Sequence, residues 1–380
     1  MESHSTRALN VTLIDAPGDF EAMEEEWNEL YHDAPLATPF QSWAWLYSWW
    51  EFYGEGCQLR IIAVRDGPLL VGLAPLMLER RWGLGRLLFV GVHLTGPTDY
   101  LDILVRQGWE DEVSEAVVRS LREMGSWHVA DLQELRPAAA AWNVFRRWNG
   151  PHIRARKSSC TVIEVKPWDE LLMSLKRKAR YDVRRALRRA EADGVHCRLA
   201  STIEAEQAAR RLVVLNREQW QERGVAPEAL TRRFEAHLEA TARRMTACEL
   251  GGISEFRRDG EVIASHFFVF GHDFVGEYMV GSGREAVRHY QISSLYVQDG
   301  VNVARSRSST RLDLLRGEEP YKLRWASEVV PNHRIILGRS LVLWALYIGY
   351  RGLRLKARRY AESESTPEWI KSLLNRLRGR

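Results

Sequence analysis

Three side chains in the second half of the sequence are candidate proton acceptors: His266, Glu277 and Asp313. Strand alternation places His266 on an otherwise apolar face, where a hydrogen-bonded core histidine is the other interpretation. Glu277 shares a face of the next predicted strand with apolar neighbours, and burial there would raise the pKa of its carboxyl toward that of a useful base. The sequence therefore predicts general-base chemistry and leaves open which of the three performs it.

These side chains belong to one unit, residues 255–325, that is predicted to form a strand, a hairpin, a second strand, a long helix and a final strand. The turn at Arg258-Asp259-Gly260 separates two apolar segments, and residues 292–304 are long enough for a helix. The helix begins near Ser293 and Ser294, and the free N–H groups of a helix amino terminus bind anions. We therefore expect an anionic ligand at this end of the unit.

The first half of the chain repeats this order of elements. Arg65-Asp66-Gly67 lies between apolar segments as Arg258-Asp259-Gly260 does. Each hairpin is followed by a further strand (100–105 and 274–280), a helix (109–123 and 292–304) and a strand that contains an Asp-Leu pair. Duplication is the economical explanation, and two unrelated units that share a common turn tripeptide are the alternative.

Residues 168–192 are predicted to form one long helix with an apolar stripe on one side. The opposite side is basic, and Arg180, Arg184 and Arg188 recur there at four-residue spacing, close to Tyr181. Like charges at this spacing repel one another, so the phosphate groups of a ligand would stabilise the helix. A solvated surface helix is the alternative.

The loop 91–102 carries polar side chains between apolar strands, among them His93, Thr95, Asp99 and Asp102. Loops at strand ends commonly hold functional residues, so we expect this loop to line an acceptor pocket. A helix rich in tryptophan precedes it, with Ser42 as the predicted N-cap. Core packing and a platform for a sugar or lipid are both compatible with its aromatic side chains.

The composition indicates a soluble globular protein: 45% of the 380 residues are hydrophobic and 27% are charged, and the length suffices for two domains. Because 54 basic residues nearly balance 50 acidic ones, a basic surface must come from clustering, and we expect no DNA partner. The four cysteines have no spacing typical of a metal site or a disulfide framework, so we expect free thiols and no metal.

The two ends of the sequence bear on localisation. The amino-terminal segment lacks the basic and apolar regions of a secretory signal, so we expect a cytoplasmic protein. Near the other end, the apolar run 341–350 precedes a basic segment. A membrane span needs about 20 apolar residues, so this stretch predicts either a docked helix or a reversible peripheral contact of residues 341–359 with anionic lipid head groups.

Four segments together resemble the CelD-like branch of the GNAT acyltransferases, which is related to the FemAB peptidoglycan aminoacyltransferases with their tandem GNAT domains. They are Phe40-Gln41-Ser42, Arg65-Asp66-Gly67, Arg180-Tyr181-Asp182-Val183-Arg184-Arg185 and Leu312-Asp313-Leu314-Leu315-Arg316-Gly317-Glu318-Glu319-Pro320-Tyr321-Lys322. The resemblance implies an α/β fold of tandem GNAT-like domains, each with a mixed, mainly antiparallel sheet flanked by helices. We expect an amino-terminal domain over 1–155, an acyltransferase domain over 156–332 and a helical extension over 333–380.

The resemblance also implies direct attack of an amine on a thioester. Acyl-CoA or another acyl carrier would be the donor substrate, with no permanently bound cofactor. A tyrosine suits protonation of the leaving thiolate, and Lys322 would place positive charge near the oxyanion. The predicted catalytic residues are His266, Glu277, Asp313, Tyr321 and Lys322, the predicted donor-binding residues are Ser282, Tyr290, Ser293 and Ser294, and the predicted substrate-binding residues are Arg180, Tyr181, Arg184, Arg188, Asp99 and Tyr278.

One departure from the GNAT pattern bears on the donor. Gly281 and Gly283 lie well upstream of the predicted helix, whereas the usual pyrophosphate loop has its glycines just before it. FemAB-like domains share this feature and use aminoacyl-tRNA, so charged tRNA is an alternative donor. The implied acceptor is an amine or hydroxyl of an envelope or polysaccharide precursor. An inactive GNAT scaffold that binds an envelope-synthesis component is the other interpretation.

Overall fold

The computed structural model describes residues 9–81, 83–92, 98–222 and 231–361, and it has an α/β architecture. The first half of the chain contains, in order, β1 (Asn10–Ile14), α1 (Pro17–Ala22), α2 (Glu24–Asp33), α3 (Trp43–Tyr53), β2 (Cys57–Leu59), β3 (Ile61–Asp66), β4 (Leu69–Ala74), β5 (Leu76–Arg81), β6 (Leu84–Phe89), β7 (Leu104–Val105), α4 (Glu110–Glu123), β8 (Val129–Leu135) and α5 (Ala141–Arg147).

The second half follows without a break in the sheet. It contains β9 (His152–Glu164), α6 (Trp168–Ser174), α7 (Arg177–Ala192), β10 (His196–Leu199), α8 (Ala205–Glu222), α9 (Arg232–Ala247), β11 (Gly251–Arg258), β12 (Glu261–Phe270), β13 (Val275–Ser282), α10 (Arg284–His289), α11 (Ile292–Ser306), β14 (Arg311–Arg316), α12 (Pro320–Trp325), β15 (Glu328–Gly338) and α13 (Leu341–Ala361).

The strands form two sheets. The smaller has the order β1-β3-β4-β7, and the larger has the order β10-β11-β12-β13-β14-β9-β15-β8-β6-β5-β2. The neighbours are antiparallel except for β13 with β14 and β6 with β8, which are parallel. A helix lies between the two strands of each parallel pair in the sequence, as a parallel connection requires. The predicted mixed, mainly antiparallel α/β fold is confirmed.

The two halves of the chain contain the predicted elements in the same order, but their strands pair differently. Both tripeptide turns form hairpins, and Gly67 and Gly260 adopt positive φ there. The first hairpin belongs to the small sheet and the second to the large one. Segment 100–105, which contains β7, is predicted to correspond to segment 274–280 in β13. β13 pairs in parallel with β14, whereas the strand that pairs in parallel with β8 is β6 and not β7. Superposition of the two halves stays a prediction.

Strand pairing across the middle of the chain corrects two of the expected domain boundaries. β9 begins at His152 and runs past residue 155, and β15 runs past residue 332, so residues 333–338 are strand and not part of a helical extension. These two strands pair along most of their length, from Glu328 with Val162 to Leu337 with His152. The large sheet is therefore continuous between the two halves.

One predicted helix is interrupted. Residues 168–192 form α6 and α7, because buried Leu175 adopts an extended backbone with ψ of 149°. The apolar stripe of the basic helix is otherwise as expected, with Val183, Ala186 and Ala190 buried.

The aromatic helix α3 lies in the core. The Ser42 hydroxyl accepts a hydrogen bond from the Trp45 N–H at 3.2 Å, which confirms the predicted N-cap. Trp45 and Trp49 are buried, and the Trp45 ring contacts the Tyr278 ring edge to face at 4.8 Å. The helix therefore packs the two halves together instead of offering these indoles to a ligand.

Candidate functional site

The site is defined by the divergence of two parallel strands. β13 and β14 pair only where Val275 faces Leu312 and Gly276 faces Asp313. Beyond that point β13 continues beside β12, while β14 continues beside β9. The described residues place no strand along this edge of β13 after Gly276, so backbone N–H groups are free to bind a ligand in the resulting cleft.

A β-bulge places Tyr278 beside this cleft. Phe267 pairs with Met279 and Phe268 pairs with Glu277, so Tyr278 is the extra residue on β13. The tyrosine is half-buried, and its ring packs against Trp45, Phe40 and Phe267. Its hydroxyl has no hydrogen-bond partner among the described residues. Burial, reinforced by the nearby Asp99 carboxylate, raises the pKa of Tyr278, so the phenol stays neutral and can donate a proton.

Asp313 lies at the start of the cleft but is closed to solvent. Its carboxylate accepts hydrogen bonds from the Tyr100 hydroxyl at 2.5 Å and from the Leu315 N–H at 2.8 Å. Burial raises the pKa of Asp313 to about 6, although the Tyr100 hydrogen bond opposes this shift. The group is therefore held by structural partners instead of being exposed to a substrate.

Arg316 supplies the positive charge at the cleft end of β14. Its guanidinium donates to Asp99 at 2.8 Å, to Glu134 at 3.3 Å and to the Thr98 carbonyl at 3.1 Å. The loop that was expected to line an acceptor pocket thus reaches the cleft through Asp99. Asp102 does not, because it accepts from the N–H groups of Ala140, Ala141 and Ile103 and serves to cap local backbone. His93 and Thr95 lie outside the described residues.

Lys322 holds the end of β14. Its buried ammonium donates to the carbonyl oxygens of Leu314 and Arg316, both at 2.8 Å, and lies 3.4 Å from the Glu319 carboxylate. We expected this charge to reach over the cleft toward an oxyanion. The three contacts instead make Lys322 a positioning residue for the strand that carries Arg316. Tyr321, its neighbour in α12, is half-buried.

His266 bridges two carboxylates inside the core. Nδ1 lies 3.2 Å from Glu277 and Nε2 lies 2.8 Å from Asp299 of α11. Burial disfavours the charged ring, but hydrogen bonds with Asp299, Cys197 and Glu277 outweigh it and raise the pKa of His266 well above its usual value. Both ring nitrogens face carboxylates and the ring is fully buried, which argues against the predicted base role. The triad instead ties α11 to β12 and β13.

The predicted donor-binding residues fall into two groups, one before α11 and one in its first turn. The Ser282 hydroxyl is buried between Gln219 and Tyr296, and the Tyr290 hydroxyl donates to Asp193 at 2.9 Å, so both pack elements together. Ser293 is half-buried at the first turn, and the buried Ser294 hydroxyl has no partner among the described residues. The N–H groups of this turn and Ser293 form the part suited to an anion.

The carboxyl end of α7, the helix with the basic face, lies beside that helix end. The Tyr290–Asp193 hydrogen bond joins the end of α7 to the chain just before α11. Within the described chain, Arg180, Arg184 and Arg188 form no ion pair; Arg180 contacts Met173, and Arg188 donates to the Arg184 carbonyl. Tyr181 on the same helix is 59% exposed. These cations are therefore available to a phosphate-bearing ligand.

Other features of the described residues lie apart from this site. A cavity of about 310 Å³ is lined by His32, Asp33 and Arg106, and another of about 530 Å³ by residues that include Glu218 and Arg284. Neither is lined by Tyr278 or Asp313. Within the described ranges, no group of His, Cys, Asp and Glu side chains has the arrangement of a metal site.

Sequence reasoning missed Tyr100, Glu134, Asp299 and Arg316 as members of the site and its support. Asp299 and Arg316 stood in segments already singled out, and Arg316 is in the closing motif beside Asp313. Tyr100 and Glu134 lie more than 170 residues away from their partners in β14. Only the sheet order brings them together.

Comparison with known proteins identifies the fold of this site. Residues 177–323, from α7 to α12, match the family model described as an acetyltransferase (GNAT) domain. A search of curated protein sequences found no match. Among solved structures, the chain resembles FemX, with a TM-score of 0.59 and 12% identity over 86% of this chain and 96% of that one.

Two further solved structures are similar at the level of fold. One is the carboxy-terminal domain of a putative lysylphosphatidylglycerol synthetase from Agrobacterium fabrum, with a TM-score of 0.54 and 9% identity over 88% of this chain and 95% of that one. The other is L-PGS from Bacillus licheniformis, with a TM-score of 0.53 and 11% identity over 87% and 95%. The matched domain contains α7, the diverging strands and Lys322.

Proposed function

We propose that the protein, an acyltransferase of the GNAT fold, transfers an acyl group from an activated donor to an amine or hydroxyl in the cleft between β13 and β14. One observation carries this proposal: the strands diverge beyond Gly276 and Asp313, and the half-buried phenol of Tyr278 stands at that point. A donor carbonyl seated there lies beside the free edge of β13 and beside a proton donor.

The reaction needs three contributions from the chain. The nucleophile attacks the carbonyl carbon, and N–H groups on the free edge of β13 stabilise the oxyanion. The bond to the leaving sulfur or oxygen then breaks, and Tyr278 donates its proton to that atom. Both ring nitrogens of His266 face the carboxylates of Glu277 and Asp299, and Asp313 is buried, so we assign no side-chain base. The attacking amine or hydroxyl loses its proton to water, and the Tyr278 phenolate regains a proton from solvent before the next turnover.

The first donor that we propose is acyl-CoA. Its pyrophosphate would bind the N–H groups at the beginning of α11, next to Ser293 and on the side of the carboxyl-terminal part of α7, which carries Arg188. Gln291 provides no side-chain cap there, so these N–H groups are not occupied by a local side chain. The thioester would then extend toward Tyr278. This donor is a substrate, and no permanently bound cofactor is part of the proposal.

Charged tRNA is the second candidate donor, and the extent of the basic face favours it. The 16 residues of α7 give a helix about 24 Å long at about 1.5 Å per residue, which is more than one pyrophosphate requires. The raised pKa of Tyr278 also suits an ester. A departing ribose oxygen is more basic than a thiolate, whose parent thiol has a pKa of about 8.5, and it takes a proton from a weakly acidic phenol more readily.

For the acceptor we propose an envelope or polysaccharide precursor, as in the CelD-like branch. Support comes from the fold shared with FemX and with a putative lysylphosphatidylglycerol synthetase, whose name describes a phospholipid that carries an aminoacyl group. On the side of the cleft formed by Asp99 and Arg316, the partly exposed Arg316 guanidinium offers a positive charge to a polar acceptor. An inactive scaffold would use the same surfaces for binding alone.

Native mass spectrometry of the purified chain with acetyl-CoA and with aminoacylated tRNA tests the donor. We expect one of them to bind, and addition of amino-sugar and lipid-linked amine acceptors to yield an acylated product together with free CoA or uncharged tRNA. Failure of both donors to bind would refute the site. Binding without transfer to any acceptor, with Tyr278→Phe unchanged, would establish a scaffold.

A further inference from the structure

The carboxy-terminal helix α13 has one face against the protein and one face in solvent. On the inner face, the Tyr347 hydroxyl donates to Asp131 of β8, and Arg351 lies 3.4 Å from the same carboxylate. The Trp344 indole donates to the Ile336 carbonyl at 3.2 Å. Val129 and Ile336 pack against Tyr347 to complete this contact. The helix is therefore held on the large sheet in a fixed rotation.

That fixed rotation leaves the outer face apolar. Leu341, Val342, Leu346 and Leu353 are 65% to 69% exposed, and Tyr350 is 39% exposed. Val342, Leu346, Tyr350 and Leu353 follow one another at steps of four, four and three residues, which places them on one side of the helix, and Leu341 precedes them at its first turn. Exposed aliphatic side chains grouped in this way mark an interaction surface. We refer to these five residues as the outer face.

The charge of α13 identifies the chemistry of the partner. The helix contains Arg351, Arg354, Lys356, Arg358 and Arg359 and no acidic residue. Arg354 and Lys356 are exposed and follow directly on the outer face, and neither forms an ion pair within the described residues. An apolar face followed by cations is the pattern of a helix that lies in the plane of an anionic lipid surface.

We propose that the outer face of α13 docks on an anionic phospholipid bilayer, with Leu346 and its neighbours in the acyl-chain boundary and Arg354 and Lys356 among the head groups. Among the described residues, no helix is both long and apolar enough to cross a membrane, so the contact is peripheral. A second copy of the chain fits the surface less well, because neither helix of such a pair has an acidic side chain that could bind the cations of the other.

Co-sedimentation with lipid vesicles tests the proposal without any acyl donor, so its outcome is independent of the reaction. We expect the wild-type protein to bind vesicles that contain phosphatidylglycerol about tenfold or more strongly than vesicles of phosphatidylcholine alone, and raised salt to weaken that binding. Leu346→Glu should abolish it. Arg354→Ala with Lys356→Ala should remove the preference for phosphatidylglycerol.

Ile203→Glu is the matched control, because Ile203 is 98% exposed and lies outside α13. It should bind vesicles as the wild-type protein does, and near-identical thermal unfolding of all variants shows that the fold is kept. Wild-type protein that remains in the supernatant with phosphatidylglycerol vesicles, or Leu346→Glu that still binds them, overturns the proposal. A wild-type dimer that Leu346→Glu converts to a monomer, without vesicle binding, assigns the face to self-association instead.

Discussion

The hydroxyl of Tyr100 lies 2.5 Å from the carboxylate of Asp313 and joins the two halves of the chain at the point where the cleft opens. Tyr100 adopts a positive φ of 52°, and the carboxylate also accepts from the Leu315 N–H. The loop before β7 and the diverging strand β14 are thus tied through one buried acid. Its protonation bears on stability as well as on the shape of the cleft.

We expect Asp313→Asn to reduce the pH dependence of stability. Burial raises the pKa of Asp313 from 3.8 to about 6, so the folded protein keeps a proton that the unfolded chain releases. The resulting contribution to the free energy of unfolding is fully present below the pKa that Asp313 has in the unfolded chain. It is lost as pH rises through the pKa of Asp313 in the folded protein. On going from pH 4 to pH 7.5, the variant should lose less free energy of unfolding than the wild type, by up to about 3 kcal/mol. Urea unfolding at both pH values measures this, and equal losses would contradict it.

Tyr278→Phe tests the proton donor. The substitution keeps the ring between Trp45 and Phe267 but removes the hydroxyl, so we expect turnover to fall about a hundredfold, with donor affinity and melting temperature nearly unchanged. Steady-state kinetics with the donor identified by mass spectrometry measures the effect. Tyr350→Phe, at an exposed tyrosine on α13, is the control and should leave turnover intact. Full activity of Tyr278→Phe would exclude proton donation by this residue.

The basic face of α7 should bind the phosphates of the donor. Because a hydrogen bond to a charged group contributes about 1.5–3 kcal/mol, each of Arg180→Ala, Arg184→Ala and Arg188→Ala should weaken donor binding by about tenfold. Binding of the wild type should also weaken with salt. Arg210→Ala and Arg243→Ala remove exposed arginines that pair with Glu239 and Glu206, and they serve as controls. If the triple variant of α7 binds the donor with wild-type affinity, the basic face is only a solvated surface.

Lys322 should contribute to stability as well as to activity. Lys322→Met removes the donor to the buried carbonyls of Leu314 and Arg316, so we expect the free energy of unfolding to fall by about 1–3 kcal/mol. Turnover should fall too, because the strand that carries Arg316 loses its anchor. Lys166→Met, at an exposed lysine beside Glu164, is the control. A loss of turnover of about a hundredfold with an unchanged melting temperature would instead restore the predicted direct role of Lys322 near the oxyanion.

Local signals in the sequence predicted local structure well. The Ser42 cap, the turn at Arg258-Asp259-Gly260 and the start of α11 each depend on a few adjacent residues, and each was placed correctly. The environment of the site residues could not be predicted in this way. His266 on an apolar face allowed either a base or a core residue, and only Asp299 from α11 decides between them. Likewise, the partners of Lys322 became known only when the path of β14 was known.

The position of β15 has a consequence for the order in which the chain can fold during synthesis. This strand lies between β8 and β9 in the sheet, although more than 160 residues separate it from β9 along most of their pairing. Until the ribosome has released residue 338, the facing edges of β8 and β9 have no partner, and unpaired edges are prone to aggregate. The first half therefore cannot complete its part of the large sheet as it emerges, and a nascent chain of this protein depends on β15 to close the gap.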